Sequence, residues 1–98
     1  MDEPQLKAFV AIDRYGSFSA AAESLHLTQP AISKRIASLE DALGTRLFDR
    51  IGRSTVMTEA GRTLLPKAEK MLAVFSDMRE SISDLQGRIS GRLSLGTS

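Results

Sequence analysis

Apolar residues along the chain recur at spacings that change three times, and each change marks an element. Leu6, Phe9 and Val10, with Ala11 and Ile12 beside them, predict a first helix starting near Pro4, a residue tolerated in a first turn. Gly16 is a natural stop for it. Ser17 or Ser19 can cap a short second helix through Leu25, which carries Ala20, Ala21 and Ala22 and so permits close approach of another helix. After His26-Leu27, Thr28 reads as the N-cap of a third helix. Gln29 and Pro30 lie in its first turn, where a missing backbone N–H costs nothing. Ile32, Ile36, Leu39 and Leu43 recur at i, i+4, i+7 and i+11 as one apolar stripe, and Gly44 closes the helix.

Residues 45–58 change period. Leu47–Arg50 and Thr55–Thr58 are short and rich in strand-favouring residues, with turn-like Ile51–Ser54 between them, which predicts a two-stranded hairpin. Thr58 can then cap a much longer helix. Along it Leu64, Ala68, Met71, Phe75, Met78, Ile82, Leu85 and Ile89 form a heptad seam. At 1.5 Å per residue the seam spans roughly 40 Å, more than so small a core can cover. Pro66 inside this pattern predicts a kink or a late start. Gly91–Gly96 alternates polar with apolar and reads as a strand without a partner. The expected organisation is a domain over 1–58, a linker and dimerisation helix over 59–89, and the start of a further, truncated domain over 90–98. The fold class is mainly α: three helices and a two-stranded hairpin, a winged helix-turn-helix order, followed by the long helix.

Composition adds exclusions. The 98 residues suit one small domain plus an extension, with 42% hydrophobic and 26% charged residues, ordinary for a folded soluble chain. Without Cys and with a single His, neither a disulfide nor a Cys/His zinc site is available. An acidic start, Met1-Asp2-Glu3-Pro4, argues against a signal peptide, and no apolar run approaches a membrane span, so a cytoplasmic location is expected. Net charge is only +1, but residues 1–27 hold two Lys/Arg against four Asp/Glu, whereas residues 28–70 hold eight against five. A local basic face of this kind suits a nucleic-acid partner better than the total suggests.

The candidate chemistry lies on the third helix. With its apolar stripe turned inward, Ser33, Ala37, Pro30 and Lys34 fall on the opposite arc, and Thr28 and Gln29 stand at the helix start. Gln bonds adenine bidentately, Ser donates or accepts, Lys reaches guanine or phosphate, and Pro30 and Ala31 can meet a thymine methyl. Taken alone, the same face also fits an ordinary solvated helix. His26 reads as a turn residue, and Asp77, Glu80 and Asp84 as a solvated face with an Asp84–Arg88 pair. No Gly-x-Ser-x-Gly elbow, Ser-x-x-Lys pair, phosphate loop or Cys nucleophile is present, so an enzyme is not expected. A helical module that binds only protein is the remaining rival.

Three segments resemble the N-terminal signature of LysR-type transcriptional regulators: Ser17–Ser33, Leu39–Arg50 and Thr58–Gly61. The resemblance covers nearly the whole chain. It implies a winged helix-turn-helix that binds double-stranded operator DNA and a linker helix that pairs antiparallel in a homodimer. It also implies an effector domain, absent here, that takes a small-molecule ligand; no cofactor or metal is expected in residues 1–98, and the full-length protein is often a tetramer. By the same resemblance Gln29, Pro30, Ser33 and Lys34 read bases. Thr28 and Arg35, with Arg50 and Arg53 of the wing, contact backbone or minor groove, although Arg50 also has an ion-pair role open to it near Asp49 or Glu59. Met71, Phe75, Met78, Ile82 and Leu85 form the expected dimer interface.

Overall fold

The computed structural model describes residues 1–51 and 54–97; the side chains of Arg50 and of residues 88–98 lie outside the described set. The elements run α1 (Glu3–Tyr15), α2 (Phe18–Ser24), α3 (Gln29–Leu43), β1 (Phe48–Ile51), β2 (Ser54–Met57) and α4 (Glu59–Thr97).

Local chemistry sets each boundary. Asp2 caps α1 in a reciprocal box with Gln5, which starts the helix one residue before Pro4. Ser17 Oγ accepts from Ala20 N at 3.0 Å and caps α2, leaving Ser19 inside the helix. Gly16 and Gly44 take left-handed φ values of 85° and 71° and end α1 and α3. At the end of α2 the left-handed position falls to His26, with φ 57°. There Leu27 N donates to Ala22 O and His26 N to Glu23 O, so the chain turns through a Schellman motif without glycine.

α1, α2 and α3 pack on one another, and α4 docks on α1. Phe9, Ile12, Ile32, Leu39 and Leu47 are the largest fully buried side chains. Phe48 of the wing is sandwiched by Phe9 and Phe18, with ring centroids 5.5 and 5.7 Å away in tilted and edge-on geometries. The hairpin is antiparallel, with Phe48 opposite Met57 and Ile51 opposite Ser54. Its strands therefore extend one residue further toward the tip than the expected Leu47–Arg50 and Thr55–Thr58, because Ile51 and Ser54 pair rather than turn.

The wing is held to the helices by polar ties. Glu40 Oε2 on α3 accepts from Leu47 N at 2.7 Å and Phe48 N at 3.4 Å. Thr58 Oγ1 donates to Arg46 O at 2.7 Å and accepts from Gly61 N at 3.1 Å, capping α4 as expected. At Gly61 the helix passes so close to the residue before β1 that a Cβ would sit 2.5 Å from Leu47 O.

Three expectations need correcting. Leu43 does not join the buried stripe of Ile32, Ile36 and Leu39; it is 38% exposed, because α3 ends there and only the start of α4 borders it. Pro66 does not delay α4, which begins at Glu59 with Pro66 inside it. The segment 91–96, expected as a strand, is helical backbone: α4 runs to Thr97. A strand needs a neighbour for its hydrogen bonds, whereas a helix satisfies its own, and the two described strands pair only with each other.

α4 spans 39 residues, about 58 Å at helical rise, which accounts for the molecular extents of 63 × 24 × 19 Å. Ala68 is buried, and Leu64, Leu65 and Leu72 pack against the core. Docking reaches further than the seam suggested. Leu72 and Ala73 lie beside Val10 and Ala11, and Arg79 pairs with Glu3 at the start of α1.

Candidate nucleic-acid interface

The N-terminal half of α3 presents the face that its periodicity predicts. Thr28, in extended backbone (φ −78°, ψ 157°), accepts from Ala31 N through Oγ1 at 3.2 Å. That bond uses the hydroxyl as acceptor and leaves its O–H free to donate outward. Ile32 and Ile36 are buried, so the helix cannot rotate about its axis without exposing them. On the opposite arc Gln29, Pro30, Lys34, Ala37 and Ser38 are exposed. Ser33 is half-buried because it lines a cleft with Ala37, Glu40, Arg46 and Phe48, between α3 and the start of the wing. Arg35 is half-buried on the flank.

The structure thus brings Thr28, Gln29, Pro30, Ser33 and Lys34 onto one accessible surface. The start of α3 adds the positive end of its dipole, although Pro30 carries no N–H and Ala31 and Ile32 donate to Thr28. Arg53, and the Arg50 side chain, lie outside the described residues; the Arg50 backbone pairs with Thr55. Among the described residues the ion pair in this region is Arg46–Asp49, at 3.9 Å.

Sequence reasoning missed two residues. Arg46, exposed in the linker after α3, lines the same cleft as Ser33 and adds a cation at the edge of the recognition face. Its signal was a basic residue between a helix-ending glycine and a strand. Glu40 lies in the same cleft and fixes the wing to α3 through two backbone N–H groups.

Of the expected dimer residues, Met71, Met78, Ile82 and Leu85 are each about half exposed, and Phe75 is half-buried. Val74, which the heptad reading skipped, is exposed beside them. Among the described residues no cluster of His, Cys, Asp or Glu could hold a metal ion. None of the described helices is long and apolar enough to cross a membrane.

Three packed helices, a hairpin tied to the third of them, and an exposed polar face at that helix's start define a winged helix-turn-helix DNA-binding domain. The comparisons with known proteins carry this to a family. Residues 4–62 match the family described as "Bacterial regulatory helix-turn-helix protein, lysR family", and the chain belongs to it. All 98 residues align at 57% identity with 68% of an uncharacterized HTH-type transcriptional regulator encoded in the ibpB-leuC intergenic region of Azotobacter vinelandii. Over 93 residues the chain is 42% identical to the transcriptional activator CmpR of Synechocystis, of which it covers 31%. It therefore spans about two thirds of one relative and under a third of the other.

Solved structures agree. The CbnR DNA-binding domain in complex with DNA superposes with a TM-score of 0.80 at 32% identity, covering 88% of this chain and 99% of that one. The DNA-binding domain of BenM in complex with catB site 1 DNA gives 0.81 at 31% identity, covering 88% and 97%.

Proposed function

We propose that this chain acts as a homodimer that reads a partly palindromic DNA operator and regulates transcription. The observation that carries the reading is the orientation of α3: Ile32, Ile36 and Leu39 are buried while Gln29, Pro30 and Lys34 face solvent at its capped start. In a major groove that face puts Gln29, Ser33 and Lys34 against base edges and Pro30 against a thymine methyl. Thr28, Arg35 and Arg46 meet phosphates beside it, helped by the helix N-terminus. Arg50 and Arg53 of the wing reach the backbone or a narrow minor groove, which attracts Arg electrostatically.

Two domains joined through α4 read half-sites about one helical turn apart, or a small multiple. Names of related proteins support regulation: they are described as transcriptional regulators and activators. In this reading the chain performs no catalysis and works in the cytoplasm. A small-molecule effector binds a further domain of the whole protein, which assembles beyond the dimer through that domain.

The test is DNA affinity against salt, on operator and random duplexes. Binding through several phosphates should weaken steeply as salt rises. Gln29→Ala should cost roughly 1–3 kcal/mol on the operator alone and relax preference at one base pair. Equal loss on both duplexes removes Gln29 from base reading. Negligible DNA binding at every salt concentration favours a protein-only module.

A further inference from the structure

The segment that joins α3 to the wing is pinned along its whole length. Glu40 collects four of its backbone N–H groups. The Glu40 carbonyl oxygen accepts from Gly44 N at 2.8 Å and Thr45 N at 3.2 Å, and its Oε2 accepts from Leu47 N at 2.7 Å and Phe48 N at 3.4 Å. The cap of α4 holds the other side. Thr58 Oγ1 donates to Arg46 O at 2.7 Å, and Thr58 N donates to Leu47 O at 2.9 Å.

Leu47 therefore has its N–H on α3, its C=O on the α4 cap and its side chain fully buried in the core. Gly61 lets α4 approach the same carbonyl closely. Each residue from 44 to 48 carries at least one of these bonds, so the connection has no free hinge.

What the bonds fix is an angle. α4 packs chiefly on α1 and β2. Apolar packing holds elements together without direction, whereas hydrogen bonds also set orientation. Orientation matters because α4 is a lever. Met78, in the middle of the exposed apolar stripe, lies about 30 Å beyond Thr58 at helical rise. A tilt of about 10° at Thr58 moves Met78 by about 5 Å, more than the roughly 3.4 Å step between base pairs. In a dimer joined along that stripe, the shift is passed on to the place where the second recognition helix meets the duplex.

We infer that Glu40 and Thr58 are positioning residues for operator choice. Through the backbone of Leu47 they fix α3 against α4, and so set which separation of half-sites the dimer accepts, without reading a base themselves. This rests on the dimer and half-site reading above and adds the residues that set the spacing. Choice of sequence within a half-site belongs to the face of α3; choice of distance between half-sites belongs to the junction at Leu47.

The test uses the whole 98-residue chain and duplexes that carry two copies of its half-site, selected from random sequence and moved apart one base pair at a time. For each variant the affinity at the best spacing is divided by that at the neighbouring spacings, so any loss at a single half-site cancels. The unaltered chain should prefer one spacing sharply. Forcing it onto a wrong spacing breaks a junction bond, whereas a variant that lacks the bond has none to break. Glu40→Ala and Thr58→Val should each lower the ratio roughly fivefold, the scale of one lost hydrogen bond. Glu40→Gln keeps an acceptor oxygen and Thr58→Ser keeps the hydroxyl, and both should retain the preference. A merely structural role lowers affinity at every spacing alike. An unmoved ratio overturns the proposal, as does equal loss of the preference in the two conservative variants. Hydrogen exchange checks the junction without substitution: the Leu47 and Phe48 amides should exchange as slowly as those of buried α3, and exchange at the rate of an unprotected amide overturns it. If the unaltered chain prefers no spacing, the paired half-site reading fails before any substitution is made and takes the proposal with it.

Discussion

The winged domain and the outer half of α4 use the same kinds of apolar side chain to opposite ends. In the domain Phe9, Ile12, Ile32, Leu39 and Leu47 are almost completely enclosed, and among the described residues no buried side-chain polar atom lacks a partner. On α4, Met78 and Ile82 remain 55% and 56% exposed. The domain closes its own core because three short helices and a hairpin converge on it. Among the described residues α4 meets no second element beyond Arg79, and its helix is sustained there by internal hydrogen bonds. Most helical stability in proteins comes from packing of an amphipathic face, so the stability of the outer segment depends on what covers it. One region is therefore built to fold, the other to assemble.

Core truncation should show that division most strongly. Phe9→Ala removes a fully buried ring that packs at a tilt against Phe48, and should cost about 3–5 kcal/mol in chemical denaturation. Ile82→Ala, in a dilute monomer, should leave the unfolding midpoint nearly unchanged and act only on self-association. Equal losses in the two variants would erase the distinction between the regions.

The same substitution should change sign between the two regions. At Gly61 a methyl group would meet Leu47 O and Met57 Cγ at 2.5 Å, so Gly61→Ala should destabilise by about 1–3 kcal/mol. At Gly87, in the outer helix, nothing lies within 4 Å. There Gly87→Ala should raise helicity, worth up to about 1 kcal/mol by helix propensity. Denaturation and far-ultraviolet circular dichroism of the pair check both signs.

Gly61 also illustrates what the sequence could reveal. Its presence after Thr58 was legible as part of a family signature, but the close approach that requires glycine depends on where β1 passes. The helices and their caps were readable because they rest on neighbours three or four residues apart: Thr28, Gly44 and Ser17 all act locally. The face of α3 followed from its period, and the structure keeps it. Contacts between distant positions were not readable. Glu40 on the wing N–H groups, Arg46 in the cleft with Ser33, and Glu3 with Arg79 each need the fold first. The alternation at Gly91–Gly96 misled for a related reason: period two describes a strand only where another strand is present to pair with it.

The domain carries a local strain that the outer helix lacks. His26 is the one non-glycine residue with positive φ among the described residues, at 57°, and it forms the turn into the recognition helix. A side chain there costs about 1–3 kcal/mol. His26→Gly relieves it but adds freedom to the unfolded chain, which returns roughly 0.5–1 kcal/mol. The net stabilisation should be small, about 0.5–1 kcal/mol by denaturation, with DNA affinity retained. Destabilisation would mean that His26 contributes contacts that outweigh its backbone cost.

The smallest effect concerns the joint between the two regions. Glu3 stands at the first turn of α1, where Lys7 also pairs with it at 3.7 Å, and Arg79 reaches it from α4. The Arg79 hydrogen bond holds the Glu3 carboxyl below the usual value near 4.5, against the opposing effect of desolvation and with smaller help from the Arg79 and Lys7 charges. A carboxyl whose folded-state pKa is lowered stabilises the fold above its unfolded value, and that contribution disappears as pH falls through the folded-state value. The joint should therefore hold above about pH 4.5 and loosen only in more acid solution. Arg79→Gln should raise the Glu3 pKa toward its ordinary value, read by carboxyl NMR titration, and should speed amide exchange in the turn around residue 79 while leaving the core amides unaffected. An unmoved Glu3 titration would show that the pair does not persist in solution, and that α4 is held to the domain by its apolar contacts through Leu64, Leu65, Ala68 and Leu72.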